Sequence, residues 1–170
     1  NSIYYLKYEK GSFFDAAGNK MGDMKSLPIE QEKIPKAYDG EAANQRAWIW
    51  DIALTGDRKP VIAYTTLPEE TQHFYNWGIW TGTEWKNSRI CKAGSAFPRF
   101  NRKKEERDPE PHYSGGIALD HKDPCRVYLS RPVNDRYEIE EWVTSDGGDS
   151  FSGTAVTSKS LKDNVRPFVV

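Results

Sequence analysis

The sequence lacks the features that mark several classes of protein. No apolar stretch approaches the length of a membrane span, and no window sustains a helical stripe of apolar residues. The formal net charge is −1, which argues against a nucleic-acid partner. The basic residues in 99–108 are followed by acidic ones, so we interpret this run as a solvated loop. We therefore expect no membrane and no nucleic acid among the partners.

Cysteine and histidine are also scarce. The chain has two cysteines, Cys91 and Cys125, and the strands assigned below place them at different ends and depths of neighbouring sheets. That separation exceeds the short Cα distance of a disulfide, so we predict no bridge. His73 with His112 and Cys91, or His121 with Cys125, could hold a metal, but neither group has the spacing of a short metal motif. We expect no cofactor, and a structural metal is the alternative.

What the sequence does contain is a turn of distinctive chemistry. Residues 144–151, which we name the Asp146 turn, read Thr-Ser-Asp-Gly-Gly-Asp-Ser-Phe and follow an aromatic-rich segment at 137–143. In such a turn the Asp side chain accepts hydrogen bonds from the turn's own amides, and a Gly supplies a positive φ. The closing aromatic residue packs back under the sheet. Taken alone, this motif predicts a β-hairpin.

The surroundings of this turn are repeated within the chain. One copy consists of a two-strand pattern at 52–64 and an aromatic hairpin at 74–85. The second copy consists of the same pattern at 117–130 and a hairpin at 137–151. At the N-terminus, Tyr8 and Phe13 have the spacing of the aromatic pair that closes the first hairpin, which indicates a third copy of the hairpin. The repeating unit is therefore four short strands.

Such a unit is typical of a propeller blade or of a run of sandwich hairpins. We predict an all-β fold, namely a β-propeller fragment of four-stranded antiparallel blades with about two full blades and a half-blade at each end. Because propellers generally need four or more blades, we expect the chain to be an excerpt of a larger protein. The predicted divisions are the end of one blade with its connection (1–45), a blade (46–93), an inserted loop (94–111), the blade with the Asp146 turn (112–158) and the first strand of the next blade (159–170).

Three segments carry a resemblance to a known family. Residues 48–54, 110–121 and 163–167 are similar to the BNR (Asp-box) repeat β-propellers, and in particular to the branch that includes ulvan-type polysaccharide lyases. The similarity extends over nearly the whole chain. Because members of this family are seven-bladed, the resemblance implies the C-terminal part of a propeller. It also implies a carbohydrate-active bacterial protein, secreted or periplasmic, with its substrate in a groove at one end of the propeller axis.

Strand direction predicts which side chains share a face of the blades. The loop that enters each inner strand lies on the same face as the loop between the second and third strands. One face then collects Arg46, Trp48, His73, His112, Tyr113, Arg131, Asn164 and Arg166. The opposite face collects His121, Cys125 and the Asp146 turn. Guanidinium groups pair with uronate carboxylates and aromatic rings stack on sugars, so we expect an acidic polysaccharide or oligosaccharide as the partner.

β-Elimination is the reaction that the first face suits best. The uronate carboxylate must be neutralised, its C5 proton removed and the leaving oxygen protonated. Arg131 or Arg166 could neutralise the carboxylate, and His112 or Tyr113 could move the protons, so these four are the predicted catalytic residues. Each also has a structural alternative, since the His112–Tyr113 pair could fix a blade junction and Arg166 could clamp two blades. The predicted substrate-binding residues are Arg46, Trp48, His73 and Asn164.

Other functions remain open at this stage. The same groove could bind carbohydrate without catalysis, or it could bind protein, because interfaces are also enriched in Arg and aromatic residues. A glycoside hydrolase of sialidase-like fold ranks lower, because the face lacks a compelling pair of carboxylates. Asp51, the nearest candidate, could equally hold the ring of blades together. If His112 and Tyr113 were both buried and satisfied, the binding hypotheses would stand.

Overall fold

The computed structural model describes residues 1–69, 72–94 and 114–170. These residues form an all-β structure with four antiparallel sheets of two to four strands. A short 3₁₀ turn at Gln31–Lys33 joins two of the N-terminal strands. The predicted fold class is confirmed, and the arrangement is that of part of a β-propeller. In the described part of the chain no helix is long and apolar enough to cross a membrane.

The N-terminal strands form two small sheets. They are β1 (Ile3–Tyr4), β2 (Lys7–Glu9), β3 (Ser12–Phe14), β4 (Lys20–Asp23) and β5 (Lys36–Tyr38). Strands β2, β3 and β4 pair in that order, and β1 pairs with β5. Tyr8 lies opposite Phe13 across a turn with positive φ at Lys10 and Gly11, and the two rings are 5.1 Å apart. The hairpin predicted from their spacing is therefore present.

Two four-stranded sheets make up the rest of the structure, and each is a meander of consecutive strands. The first blade comprises β6 (Arg46–Leu54), β7 (Pro60–Glu69), β8 (Gln72–Trp80) and β9 (Trp85–Gly94). The second blade comprises β10 (Ile117–Leu119), β11 (Arg126–Val133), β12 (Arg136–Val143) and β13 (Ser152–Ala155). The sequence predicts these two units at 46–93 and 112–158. The predicted inserted loop lies, apart from Gly94, outside the described residues.

The main hydrophobic core lies between the two blades. Because alternate residues of a strand point to opposite faces, each blade presents one apolar row to the other. From the first blade come Val61, Ala63, Tyr75 and Trp77, and from the second come Ile117, Leu119, Val127 and Leu129. All of these side chains are buried. The packing of blade on blade thus fixes the position of the inner strand β10 beside β6.

Residues at equivalent positions of the repeat differ in exposure. Ile117 and Leu119 are buried against the first blade, with exposed fractions of 3% and 0%. Their counterparts Ile52 and Leu54 are 46% and 42% exposed. The first blade therefore exposes apolar side chains on the face that points away from the second blade. The equivalent side chains of the second blade are buried against the first.

The Asp146 turn has the predicted chemistry. The carboxylate of Asp146 accepts hydrogen bonds from the Thr144 hydroxyl at 2.8 Å and from the Ser150 backbone N–H at 3.0 Å. The Ser150 hydroxyl donates a further bond to the same carboxylate. These bonds, those from Ser150 foremost, hold the pKa of Asp146 well below its ordinary value. Phe151 packs edge-on against Trp77 of the first blade, with the ring centroids 6.0 Å apart.

The segment predicted as the first strand of a further blade forms no strand, because its backbone bonds go to separate partners. Asn164 N–H donates to Tyr137 O at 2.8 Å, and Arg166 N–H donates to Gly115 O at 2.6 Å. Arg166 has a φ of +61°, which interrupts an extended backbone, and Pro167 has no N–H to donate. Residues 159–170 therefore run over the second blade without joining a sheet.

Replacing Tyr75 by phenylalanine is expected to cost roughly 1–3 kcal/mol of unfolding free energy. The Tyr75 hydroxyl is buried, donates to Ser130 O at 2.7 Å and accepts from Gly116 N–H at 2.7 Å, so its loss leaves both groups of the second blade unpaired. Urea denaturation gives the difference. Tyr8→Phe is the control, because Tyr8 is 57% exposed and its replacement should change stability by less than about 0.5 kcal/mol. Equal losses in the two variants would contradict the assignment.

Candidate functional site

A groove of about 470 Å³ runs along the inner strands of the two blades. Its walls come from β6, from β10 and from the chain that follows the second blade. The lining residues are Trp50, Asp51, 116–119, His121 and 166–169. Its volume lies in the range of sites that bind small molecules. We therefore take this groove as the candidate functional site.

A β-bulge in β6 positions two of the groove side chains. Ile49 lies opposite Tyr64 and Asp51 lies opposite Ala63, so Trp50 is an extra residue in the ladder. Bulges of this kind re-aim side chains and are frequent beside functional sites. The Trp50 indole is held in place by a hydrogen bond from its Nε1 to Thr65 Oγ1 at 2.6 Å. The bulge thus brings both Trp50 and Asp51 to the groove.

Arg166 lies over the ring of Trp50. Its guanidinium carbon is 4.9 Å from the ring centroid, within the range of a cation–π contact. The backbone of Arg166 passes close to Gly116, where an added Cβ would lie 3.3 Å from the Arg166 Cα. Gly116 also has a φ of +104°, so this close passage requires glycine. The groove therefore contains an exposed cation on an aromatic surface.

Asp51 and His121 form the second polar pair of the groove. His121 Nε2 lies 3.1 Å and 3.2 Å from the two carboxylate oxygens of Asp51. The Leu119 backbone N–H donates to Asp51 Oδ2 at 2.9 Å. Asp51 thus bonds to two residues of the second blade and joins the blades, as its structural interpretation anticipates.

Arg131, one of the predicted catalytic residues, is engaged by a carboxylate of its own blade. Its Nε and Nη2 donate to the two oxygens of Glu140 at 2.7 and 2.9 Å, a bidentate pair that is partly buried. The acceptor carboxylate of Glu140 raises the pKa of Arg131. The guanidinium fork that would pair with a uronate is therefore occupied. Arg166, in contrast, lines the groove.

Asn164, a predicted substrate-binding residue, lies in a polar network of the second blade. Its amide donates to Ser160 Oγ at 2.8 Å and to Glu138 Oε2 at 3.2 Å. Glu138 is buried and also accepts from Thr157 and from the Ser160 N–H, and these bonds, that of Thr157 foremost, lower its pKa. The network ties residues 157–164 to β12. The side-chain amide of Asn164 therefore stabilises the path of the chain after the second blade.

Three further predicted site residues do not line the groove. His73 is fully buried in β8, opposite Gly94. Trp48 lines a depression beside β1, and Arg46 lines another that also includes Gln45. The remaining two predicted catalytic residues, His112 and Tyr113, lie outside the described residues.

The sequence rule for faces separates His121 from Arg166, yet both line the groove. The reason is the length of β10, which has three residues and so spans only about 10 Å. Arg166 contacts the chain just before β10, and His121 follows it. The sequence contains one sign of this arrangement, which is the turn at 120–125. This turn ends β10 after a few residues, and both ends of so short a strand lie beside one cavity.

Metal-ligating groups are not assembled among the described residues. Nowhere in 1–69, 72–94 and 114–170 do three or more His, Cys, Asp or Glu side chains come together in a way that could hold a metal ion. Cys91 in β9 and Cys125 after β10 are both free thiols. Burial raises the pKa of Cys91 to about 12, so this thiol is protonated at neutral pH.

Comparisons with known proteins give no match to this chain, whether with family models, with curated proteins or with solved structures.

Proposed function

We propose that this chain is part of a carbohydrate-active propeller that binds an acidic polysaccharide or oligosaccharide in the groove between β6 and β10. The observation that carries the proposal is the Arg166 guanidinium over the Trp50 ring at 4.9 Å. An arginine can bind a uronate carboxylate with two parallel hydrogen bonds, and an indole can pack on the face of a pyranose ring. Arg166 therefore offers the charged contact that an acidic sugar needs, with an aromatic ring beside it.

The charge of the groove supports an acidic ligand more than a neutral one. Arg166 contributes an exposed cation, whereas the carboxylate of Asp51 is held by Leu119 N–H and by His121. Arg131 is paired with Glu140, so Arg166 takes over the role of carboxylate partner that the sequence assigned to either arginine. The proposed setting is secreted or periplasmic, which follows from the resemblance alone.

Processing by β-elimination is the proposed reaction. Pairing of Arg166 with the uronate carboxylate would acidify the C5 proton, which is the first requirement of that reaction. His112 and Tyr113 remain the proton-transfer residues that the sequence predicts, and they directly precede Ser114 in the chain. Non-catalytic carbohydrate binding is the second candidate, and the occupied fork of Arg131 is the observation that favours it.

Replacing Arg166 by alanine is expected to weaken binding of an acidic oligosaccharide about 10- to 100-fold. Hydrogen bonds to charged groups contribute roughly 1.5–3 kcal/mol, and each 1.4 kcal/mol is about tenfold in affinity. Isothermal titration with tetragalacturonate and with other uronate oligosaccharides gives the dissociation constants. Arg166→Lys keeps the charge without the fork and should fall between the wild type and the alanine variant.

Arg136→Ala is the matched control, since Arg136 is an exposed arginine at the start of β12 and does not line the groove. It should bind like the wild type. A carboxyl-reduced polysaccharide should bind to none of these proteins. The same samples are followed by the ultraviolet absorbance of unsaturated uronates. A growing signal supports the lyase, binding with a flat trace supports the binding module, and no binding to any acidic glycan overturns the proposal.

A further inference from the structure

We infer that His121, oriented by Asp51, is a proton-transfer group of the groove and acts on the sugar that Arg166 holds. The inference rests on the proposed function and assigns its proton transfer to His121, in place of the His112 and Tyr113 that the sequence predicts. Strand direction places His121 on the opposite face. Three observations support the inference: the geometry of the His121–Asp51 pair, the exposure of its side chains, and the presence of Arg166 and Trp50 in the same groove.

The geometry fixes the tautomer of the neutral imidazole. His121 Nε2 lies within hydrogen-bond distance of both Asp51 oxygens, at 3.1 and 3.2 Å, so this nitrogen carries the donated proton. In the neutral ring the other nitrogen, Nδ1, then has the free lone pair. The Leu119 N–H holds Asp51 at 2.9 Å, which in turn fixes the orientation of the ring. A carboxylate that sets the tautomer of a histidine is the arrangement of a general base and its positioning residue.

The histidine of the pair is exposed, and the aspartate that supports it is only partly buried. The His121 side chain is 62% exposed, and that of Asp51 is 23% exposed. Asp51 alone already joins the two blades through Leu119, so the exposed ring adds little to that connection. Instead the ring lines the same cavity as the Arg166 guanidinium and the face of Trp50. A sugar whose carboxylate binds Arg166 would therefore lie beside both the imidazole and the indole of Trp50.

The step balances without a further reactant. Neutral His121 takes the C5 proton of the uronate at Nδ1, and the electrons of the C5–H bond form the C4–C5 double bond. The C4–O4 bond breaks, and its electron pair leaves with the O4 oxygen. That oxygen receives the proton back from the imidazolium, which gives a new hydroxyl and an unsaturated uronate. Arg166 stabilises the negative charge that develops on the carboxylate during this step.

The test is the full-length protein with His121→Gln, whose amide can still donate to Asp51 but cannot take a proton. Elimination should fall about 100-fold or more, because general base catalysis contributes 10²–10⁴-fold. The dissociation constant for tetragalacturonate should change by less than about twofold, since the affinity contacts proposed above are those of Arg166 and Trp50. Asp51→Asn, which keeps an acceptor for Leu119 N–H, should lower the rate and displace the pH profile of kcat. Arg136→Ala should leave the rate and the affinity unchanged.

A measurement on the unchanged protein makes the test independent of how the variants fold. Carbethoxylation of His121 by diethyl pyrocarbonate, located by mass spectrometry, should proceed in the free protein and should be blocked by tetragalacturonate. Elimination that persists in His121→Gln within about twofold of the wild type overturns this inference alone, as does binding without elimination in the wild type. Modification of His121 that bound probe does not slow also overturns it. Absence of all glycan binding by the wild type overturns the proposed function, and this inference with it.

Discussion

Replacing Trp77 by alanine is expected to remove roughly 3–5 kcal/mol of unfolding free energy, which is the cost of truncating a fully buried large aromatic residue. Trp77 is 0% exposed and lies at the centre of the contact between the blades. Its Nε1 donates to Pro124 O of the second blade at 2.8 Å, and its ring meets Phe151 edge-on. The alanine variant would leave a cavity and an unpaired carbonyl together.

Urea denaturation of the variant measures this loss, and two further variants separate its causes. Trp77→Phe keeps much of the ring but loses the bond to Pro124 O, so it should lose roughly 1–3 kcal/mol. Trp80→Ala is the matched control on the same strand, because Trp80 is only half-buried and contacts Trp85 within the first blade. It should lose about 1 kcal/mol. If Trp77→Ala lost no more than Trp80→Ala, the blade contact would not be the main core.

The fold was largely predictable because its signals are local. A strand alternates with a period of two residues, and a tight turn needs its particular residues at fixed places, so both are visible in a short stretch of sequence. The repeat added the order of the strands. The pairing of Tyr8 with Phe13 and of Trp80 with Trp85, read from equal spacing, shows how far such local information reaches. The last predicted strand does not form because Arg166 has a positive φ, which interrupts the extended backbone. Positive φ values are uncommon for residues other than glycine, so the sequence gives no sign of this one.

The candidate site was predicted less well because it depends on contacts between distant residues. The bulge at Trp50 arises from the register of β6 on β7, and no residue in the sequence marks it. The partners of Arg131 and Asn164 are Glu140 and Glu138, and they are set by the register of β12 beside β11 and by the path of the chain after the second blade. A rule that assigns residues to faces from strand direction does not predict which side chains pair with each other. It placed Arg166 at the entry of a further inner strand, which does not form, and it could not say which arginine was already occupied.

Replacing Gly148 by alanine is the second change with a large expected effect. The φ of Gly148 is +92°, and an added Cβ would lie 2.8 Å from Cζ3 of Trp77 and 3.0 Å from Ser88 Oγ. A left-handed conformation costs a non-glycine residue about 1–2 kcal/mol, and overpacking against a rigid buried ring costs about 1–3 kcal/mol more. The expected loss is the sum of the two, again measured by urea denaturation.

Gly147→Ala separates these two contributions, because Gly147 also has a positive φ, +67°, but an added Cβ would meet nothing within 4 Å. Its loss should therefore be the backbone cost alone, and the difference between the two variants reports the contact between the Asp146 turn and the first blade. Equal losses would show that the turn does not press on Trp77. Because Trp77 also bonds to Pro124 O in the turn at 120–125 that carries His121, Gly148→Ala should weaken glycan binding at temperatures where it is still folded, whereas Gly147→Ala should not. A change in the Asp146 turn would then reach the groove through Trp77 and the turn at 120–125.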